Sequence, residues 1–231
     1  DCFGQMGRHV ESPVDGIVLD LGVSSMQIDM PERGFSFRLD GPLDMRMAQQ
    51  GRSAKDIVNG ASERDIADIL FKYGEEKASR RIAHAIAAAR RLAPITTTKQ
   101  LADVIHRAMP RPPDGSDSAT RSFQALRIAV NDELGELERA LQASVHLLKP
   151  GGRLVVVSFH SLEDRIVKNF FIRHSRARPN ENRHAAAAPP PAPQFRILTK
   201  KPVGAGAEEL ARNPRAHSAK MRVAERTEGD A

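Results

Sequence analysis

Two short apolar runs set the strongest limit on this chain: VDGIVLD (Val14 to Asp20) and RLVVVSF (Arg153 to Phe159). Each packs four or five apolar residues together without alternation, the pattern of a strand covered on both faces of a parallel sheet. Parallel neighbours need a crossover connection, and the residues between the two runs read at helical period. The turn Lys149-Pro150-Gly151-Gly152 introduces the second run, and FRILTKK (Phe195 to Lys201) is a third, weaker strand candidate.

The helical stretch has its own punctuation. Ser62 and Asp65 have capping-box spacing ahead of Ile66, Ile69, Leu70 and Tyr73, and Gly74 is the expected stop. A second helix is expected over Glu75 to Ala93, with Ile82, Ile86, Ala89 and Ala93 as its packed face. Thr97 and Gln100 cap a third, which carries Leu101, Val104, Ile105 and Ala108 up to Pro110. Arg111 to Ser118 reads as a loop, and Leu126, Val130, Leu134, Leu137, Leu141, Val145 and Leu148 mark one long or broken helix. This order predicts an α/β fold in which residues 1–48 and 116–231 build the sheet layer and 49–115 form an inserted all-helical domain. Asn180 to Pro193, rich in Ala and Pro, is expected to be a flexible linker.

Composition narrows the function. The 231 residues suffice for one α/β domain with an insert. No run approaches the roughly 20 apolar residues of a membrane span, and no signal-peptide pattern opens the chain. A single cysteine, Cys2, builds neither a disulfide framework nor a zinc site, so a reducing, cytoplasmic compartment is expected. The net charge of +6 is uneven: nine Lys/Arg face three acids between Lys72 and Arg111, and eight face three between Gln194 and Arg226. Two basic segments suit a polyanion that touches the protein twice; a merely soluble basic surface is the plain alternative. Aromatic residues are only 4%, so base stacking can be a minor theme at most.

Asp20-Leu21-Gly22-Val23-Ser24-Ser25 closes the first strand, where ligands bind in open parallel sheets. Strand ends also carry Asp and Gly simply to turn. Longer blocks are more specific: LDLGVSSMQID (Leu19 to Asp29), RGFSFRLDGPLDMRM (Arg33 to Met47), FQALRIAVNDELGELE (Phe123 to Glu138), SFHSLEDRIVK (Ser158 to Lys168) and NPRAHSAKMRVAER (Asn213 to Arg226). In this order, and across nearly the whole chain, they resemble the ribosomal RNA small subunit methyltransferase H family, also called MraW. The Leu148 to Leu154 turn likewise resembles the one before the fifth strand of class I methyltransferases.

The resemblance implies a class I (Rossmann-like) methyltransferase sheet with a helical insert that recognises RNA. It implies S-adenosylmethionine as cofactor and, as substrate, the exocyclic N4 of a decoding-centre cytidine in small-subunit ribosomal RNA. By motif, Asp20 and Gln27 match the family's cofactor contacts, and Phe3 matches its aromatic cofactor contact. The family's Gly-rich cofactor loop and the acidic residue ending its second strand have no counterpart here. On that ground the chain is expected to be truncated at its N-terminus, without the first strands of the sheet. Met26 and His217 also depart from the family's usual residues.

The chemistry needs acceptors for the cytosine amine and alignment of its lone pair with the methyl group, rather than a strong base. Backbone carbonyls beside Leu21 and Gly22, with the Ser24 and Ser25 hydroxyls, are candidates, against simple turn capping. His160 could contact the base or a phosphate, against a structural role; Ser161 and Asp164 read as a capping box. Asp44 and Arg46 could reach the base, against a turn tied by their own ion pair. Arg121, Gln124 and Asn131 fall on one helix face, away from Leu126 and Val130, and could line an RNA cleft. Lys77, Arg80, Arg81, His84 and Arg91 in the insert, and Asn213, Arg215, Lys220 and Arg222 in the tail, are candidate phosphate contacts, against solvated faces.

Two classes of function stay open at this level. One is an enzyme that methylates ribosomal RNA of the small subunit. The other is a non-catalytic RNA- or ribosome-binding module, favoured by the absent Gly-rich loop. A small-molecule methyltransferase fits the basic segments poorly. A homodimer is compatible with either class.

Overall fold

The computed structural model describes residues 3–11, 13–48, 50–109, 117–176 and 192–229. Cys2, residues 111–116 of the expected loop and residues 180–191 of the expected linker lie outside the described residues. The chain divides into two compact units, Val23–Glu133 and Cys2–Gly22 with Leu134–Ala231. The helical unit is therefore wider on both sides than the insert expected at 49–115.

The first unit contains α1 (Ser25–Asp29), α2 (Ala54–Gly60), α3 (Glu63–Gly74), α4 (Ser79–Leu92), α5 (Thr98–Ala108) and α6 (Ala119–Asn131). Ser62 accepts the Asp65 N–H at the start of α3, and Thr97 with Gln100 forms a reciprocal capping box on α5. Ile66, Leu70, Ile82, Ile86, Leu101, Ile105, Phe123 and Leu126 meet in one core, all nearly inaccessible. In α4 the packed face is Ile82, Ala83, Ile86 and Ala87; Ala93 lies past the helix end and is exposed. Gly74 does not take the left-handed stop conformation; Glu75 does, at φ 50°. Gly74 serves close approach instead, because a Cβ there would lie 2.6 Å from the Arg121 carbonyl oxygen of α6.

The second unit is built on a four-stranded sheet of order β1-β2-β4-β3, comprising β1 (Val14–Asp20), β2 (Leu148–Ser158), β3 (Phe195–Ile197) and β4 (Lys220–Arg226). β1 and β2 are parallel, while β4 runs antiparallel to both β2 and β3. Helices α7 (Glu133–Leu147), α8 (Ser161–His174) and α9 (Ala207–Arg212) complete it. Leu19, Leu154, Val156 and Ala224 on one sheet face pack with Leu137, Leu141 and Val145 of α7 and with Val167, Phe170 and Phe171 of α8.

The α/β class and the parallel pair agree with the sequence reading, and three details differ. β1 is the last strand of the sheet, and Val18 is 70% exposed, so the expected cover on both faces is absent among the described residues. β2 starts at Leu148, inside the expected turn, and β4 was not expected as a strand. Its inward positions are Arg222, Ala224 and Arg226, and two arginines erase the apolar alternation that marks a strand. Arg226 is satisfied in place: its guanidinium donates to the carbonyls of Val145, Gln194 and Gly229. Finally, the long helical pattern breaks at Asp132, left-handed at φ 48°, into α6 and α7.

Candidate functional site

In the sheet unit, the carboxyl ends of β1 and β2 lie side by side, with Asp20 paired to Val157 and the Leu21 N–H donating to the Val157 carbonyl at 3.0 Å. Asp20 is exposed, and its carboxylate makes no hydrogen bond or ion pair among the described residues. An unspent carboxylate at this position is ready for charge-assisted bonds to hydroxyl or ammonium donors. Gly22 follows at φ 89°, a conformation that a side chain would strain. Because β4 runs antiparallel, it starts where β2 ends: Ser158 pairs with Lys220 and donates its hydroxyl to the Lys220 carbonyl at 3.2 Å. Lys220 thus stands at the same end of the sheet as Asp20. Phe3, in a 3-10 turn over Phe3–Arg8, is half-buried and packs against the sheet core. The Gly4 N–H holds that turn by donating to Glu136 Oε2 at 2.8 Å.

His160 opens α8 in the structural role that stood as its alternative in the sequence. It is the N-cap itself: Nδ1 accepts the Glu163 N–H at 3.3 Å, while Glu163 Oε2 accepts the N–H groups of Phe159 and His160. The capping pair thus lies one residue before the expected Ser161–Asp164 box. Asp164 instead receives two hydrogen bonds from Arg222, at 2.7 and 3.1 Å, which hold its carboxyl below the ordinary value against the opposing effect of burial. Arg222 is buried in this pair, so it is not a phosphate contact. Arg215 is exposed in the 3-10 turn Pro214–Ser218.

The helical unit holds the remaining candidates. Ser24 is the N-cap of α1: its Oγ accepts the Gln27 N–H, and Gln27 Oε1 accepts the Ser24 N–H at 2.9 Å. Capping therefore explains Ser24, while Ser25 is exposed at the first helical position and the Gln27 amide nitrogen has no partner among the described residues.

Residues 33–47 form a tightly braced loop. Met45 is fully buried at φ 63°, a costly conformation for a residue other than glycine. Asn131 braces it, donating to the Met45 carbonyl at 2.8 Å and accepting the Met47 N–H at 2.7 Å, and Arg33 donates to the carbonyls of Arg46 and Met47. Asp44 and Arg46 form a bidentate pair at 2.9 and 2.8 Å, and these bonds hold the Asp44 carboxyl below its usual value.

The structure thus brings Asp44, Arg46 and Asn131 together as one braced assembly, with Asn131 facing inward rather than lining an open cleft. Gln124 donates to the Tyr73 carbonyl at 3.3 Å, whereas Arg121 is exposed. His84 lies 3.1 Å from Glu63. The clamping role of Arg33 was missed in the sequence, where an Arg next to a glycine carries no signal of its target.

The family model described as the MraW methylase family matches residues 2–227. Ribosomal RNA small subunit methyltransferase H of Cereibacter sphaeroides is 56% identical over 230 residues, covering 99% of this chain and 70% of the relative. The protein of that name from Roseobacter denitrificans is 59% identical over 230 residues, covering 99% and 69%. The Bradyrhizobium diazoefficiens protein is 58% identical over 218 residues, covering 94% and 66%.

Proposed function

Since the chain belongs to the MraW methylase family, we propose that it methylates small-subunit ribosomal RNA, using S-adenosylmethionine on the exocyclic N4 of a decoding-centre cytidine. The observation that carries this reading is the unpartnered Asp20 carboxylate beside Gly22, at the carboxyl end of a parallel strand pair in a chain with this family's motifs. The relatives' shared name supports the substrate class. N4 and cytidine rest on the resemblance of the quoted blocks.

The residues present fit the cofactor. Asp20 is free to accept hydrogen bonds, and Gly22 leaves backbone approach open. Asp20, Gln27 and Phe3 are the residues the resemblance assigns to it. When bound, the cofactor supplies an electrophilic methyl group. The protein's own part is placement, which can account for roughly 7–11 kcal/mol of a barrier in favourable cases. The Leu21 and Gly22 carbonyls and the Ser25 hydroxyl are acceptors for the cytosine amine. Nδ1 of His160 is committed to the Glu163 N–H, so Nε2, which is buried, is the nitrogen left for a contact with the substrate. Asp44, Arg46, Arg121, Arg215 and Lys220 are the proposed RNA contacts. Gln124 and Asn131 support them from within.

The test incubates the protein, at the full length its gene encodes, with labelled S-adenosylmethionine and unmodified small ribosomal subunits, followed by mass spectrometry of the nucleosides. N4-methylcytidine that disappears in Asp20→Ala supports the reading. Salt-dependent subunit binding without any methylated cytidine replaces it with the non-catalytic binding module.

A further inference from the structure

We propose that the groove between α3 and the start of α4 docks a single-stranded segment of the RNA substrate, with phosphates on Lys77, Arg80 and Arg81 and one base against Phe71. The proposal rests on the RNA reading above and adds to it a place and a strand form. The groove has a volume of about 800 Å³ and lies wholly within the helical unit. Phe71 on its wall is 64% exposed, the one aromatic ring among the large apolar side chains exposed in the described residues. Removing a solvated phenyl ring from water is favourable, and a base has a flat face that stacks on it.

Charge selects the partner. α4 starts after Ala78, whose N–H donates to the buried Glu76 Oε1 at 2.9 Å, and its first turn holds no acid and carries Arg80 and Arg81. These exposed cations add to the positive end of the helix dipole, so the solvent side of the turn favours an anion. Lys77, Arg80 and Arg81 have no ion-pair partner among the described residues, and Arg81 donates to the Met109 sulfur. Asp68 is the single acid on the groove wall, and Arg64 stands 4.0 Å from it. Three cations beside an exposed ring match a strand whose bases are free to splay; in a duplex the bases are stacked inside and out of reach.

The experiment measures fluorescence anisotropy of a short labelled oligouridine, and of an RNA duplex, with the full chain, Phe71→Ala and K77A/R80A/R81A, after circular dichroism confirms equal helix content. Phe71→Ala should weaken single-strand binding about tenfold or more, in line with the loss of one stacked base, and leave duplex binding unchanged. The triple variant should flatten the plot of log affinity against log salt by about two, three charges at roughly 0.7 each. Unchanged affinity and slope in both variants would overturn the proposal. So would a Phe71→Ala effect equal on duplex and single strand, or a wild-type protein that binds assembled subunits through these residues but no free single strand.

Methylated-nucleoside yield, measured separately, keeps the two readings apart. Product formed with groove variants that bind RNA normally removes the groove and leaves the function. No product, with RNA binding still lost in the variants, does the reverse.

Discussion

Glu163 and His160 cap one helix reciprocally: the Glu163 N–H donates to His160 Nδ1 at 3.3 Å, and the Glu163 carboxylate accepts the His160 N–H. The second imidazole nitrogen, Nε2, stands 3.2 Å from Glu163 Oε1 without the alignment of a hydrogen bond. A histidine in this position starts α8, and Nε2 is the nitrogen that its cap leaves unspent.

Those two roles separate by substitution. His160→Asn restores a good N-cap, so it should hold stability within about 0.5 kcal/mol, whereas His160→Ala should lose about 1 kcal/mol. If Nε2 donates to the substrate, both variants lose methyl transfer. Urea unfolding and nucleoside yield, measured on both, check this; full activity in His160→Asn would confine His160 to capping.

The Asp164–Arg222 pair should make stability depend on acid. Arg222 hydrogen bonds depress the Asp164 carboxyl in the folded state, so its contribution is fully present above the unfolded value near 3.9 and fades as pH falls through the lower, folded value. Asp164→Asn should cost about 2 kcal/mol at neutral pH and progressively less below about pH 4. Denaturant melts of both proteins across that range check the sign.

Asn131 fixes the loop that contains Asp44 and Arg46. Asn131→Ala removes bonds to Met45, Met47 and Arg127 and should destabilise the helical unit by about 2–3 kcal/mol. Hydrogen exchange of the Met45 and Met47 amides should rise more than that of α5, because the strained Met45 relaxes first. Equal exchange in both segments would show that Asn131 does not brace the loop.

Two glycines should respond oppositely to alanine. In Gly34→Ala the new Cβ would stand 2.1 Å from the Pro42 carbonyl oxygen at φ 70°, so a loss of about 3 kcal/mol or more is expected. At Gly60, in the last turn of α2, a Cβ meets nothing within 4 Å, and Gly60→Ala should gain up to about 1 kcal/mol from helix propensity. Thermal melts of the two variants check the contrast.

Much was legible in the sequence because it depends on near neighbours. The strand at Val14–Asp20, the caps at Ser62 and Thr97 and the core stripe of Ile66, Leu70, Ile82 and Ile86 follow from local spacing. Asp20 stood out because a strand end and a glycine flank it. The cap of α8 was read one residue late because Ser161 and Asp164 imitate a capping box, while the Asp164 carboxylate is drawn to Arg222.

The sequence by itself determined the α/β order, the helical stretch and the blocks that identify the family, since periodicity, turn chemistry and motifs are carried by residues close along the chain. Only the tertiary structure decided which of the named polar residues are spent and which are free. Asn131 reaches 86 residues back to Met45, and Arg222 reaches 58 to Asp164, while Asp20, Lys77 and Phe71 are left to solvent. A side chain's hydrogen-bonding capacity is fixed by its type, but whether that capacity is used depends on which distant segment folding brings to it.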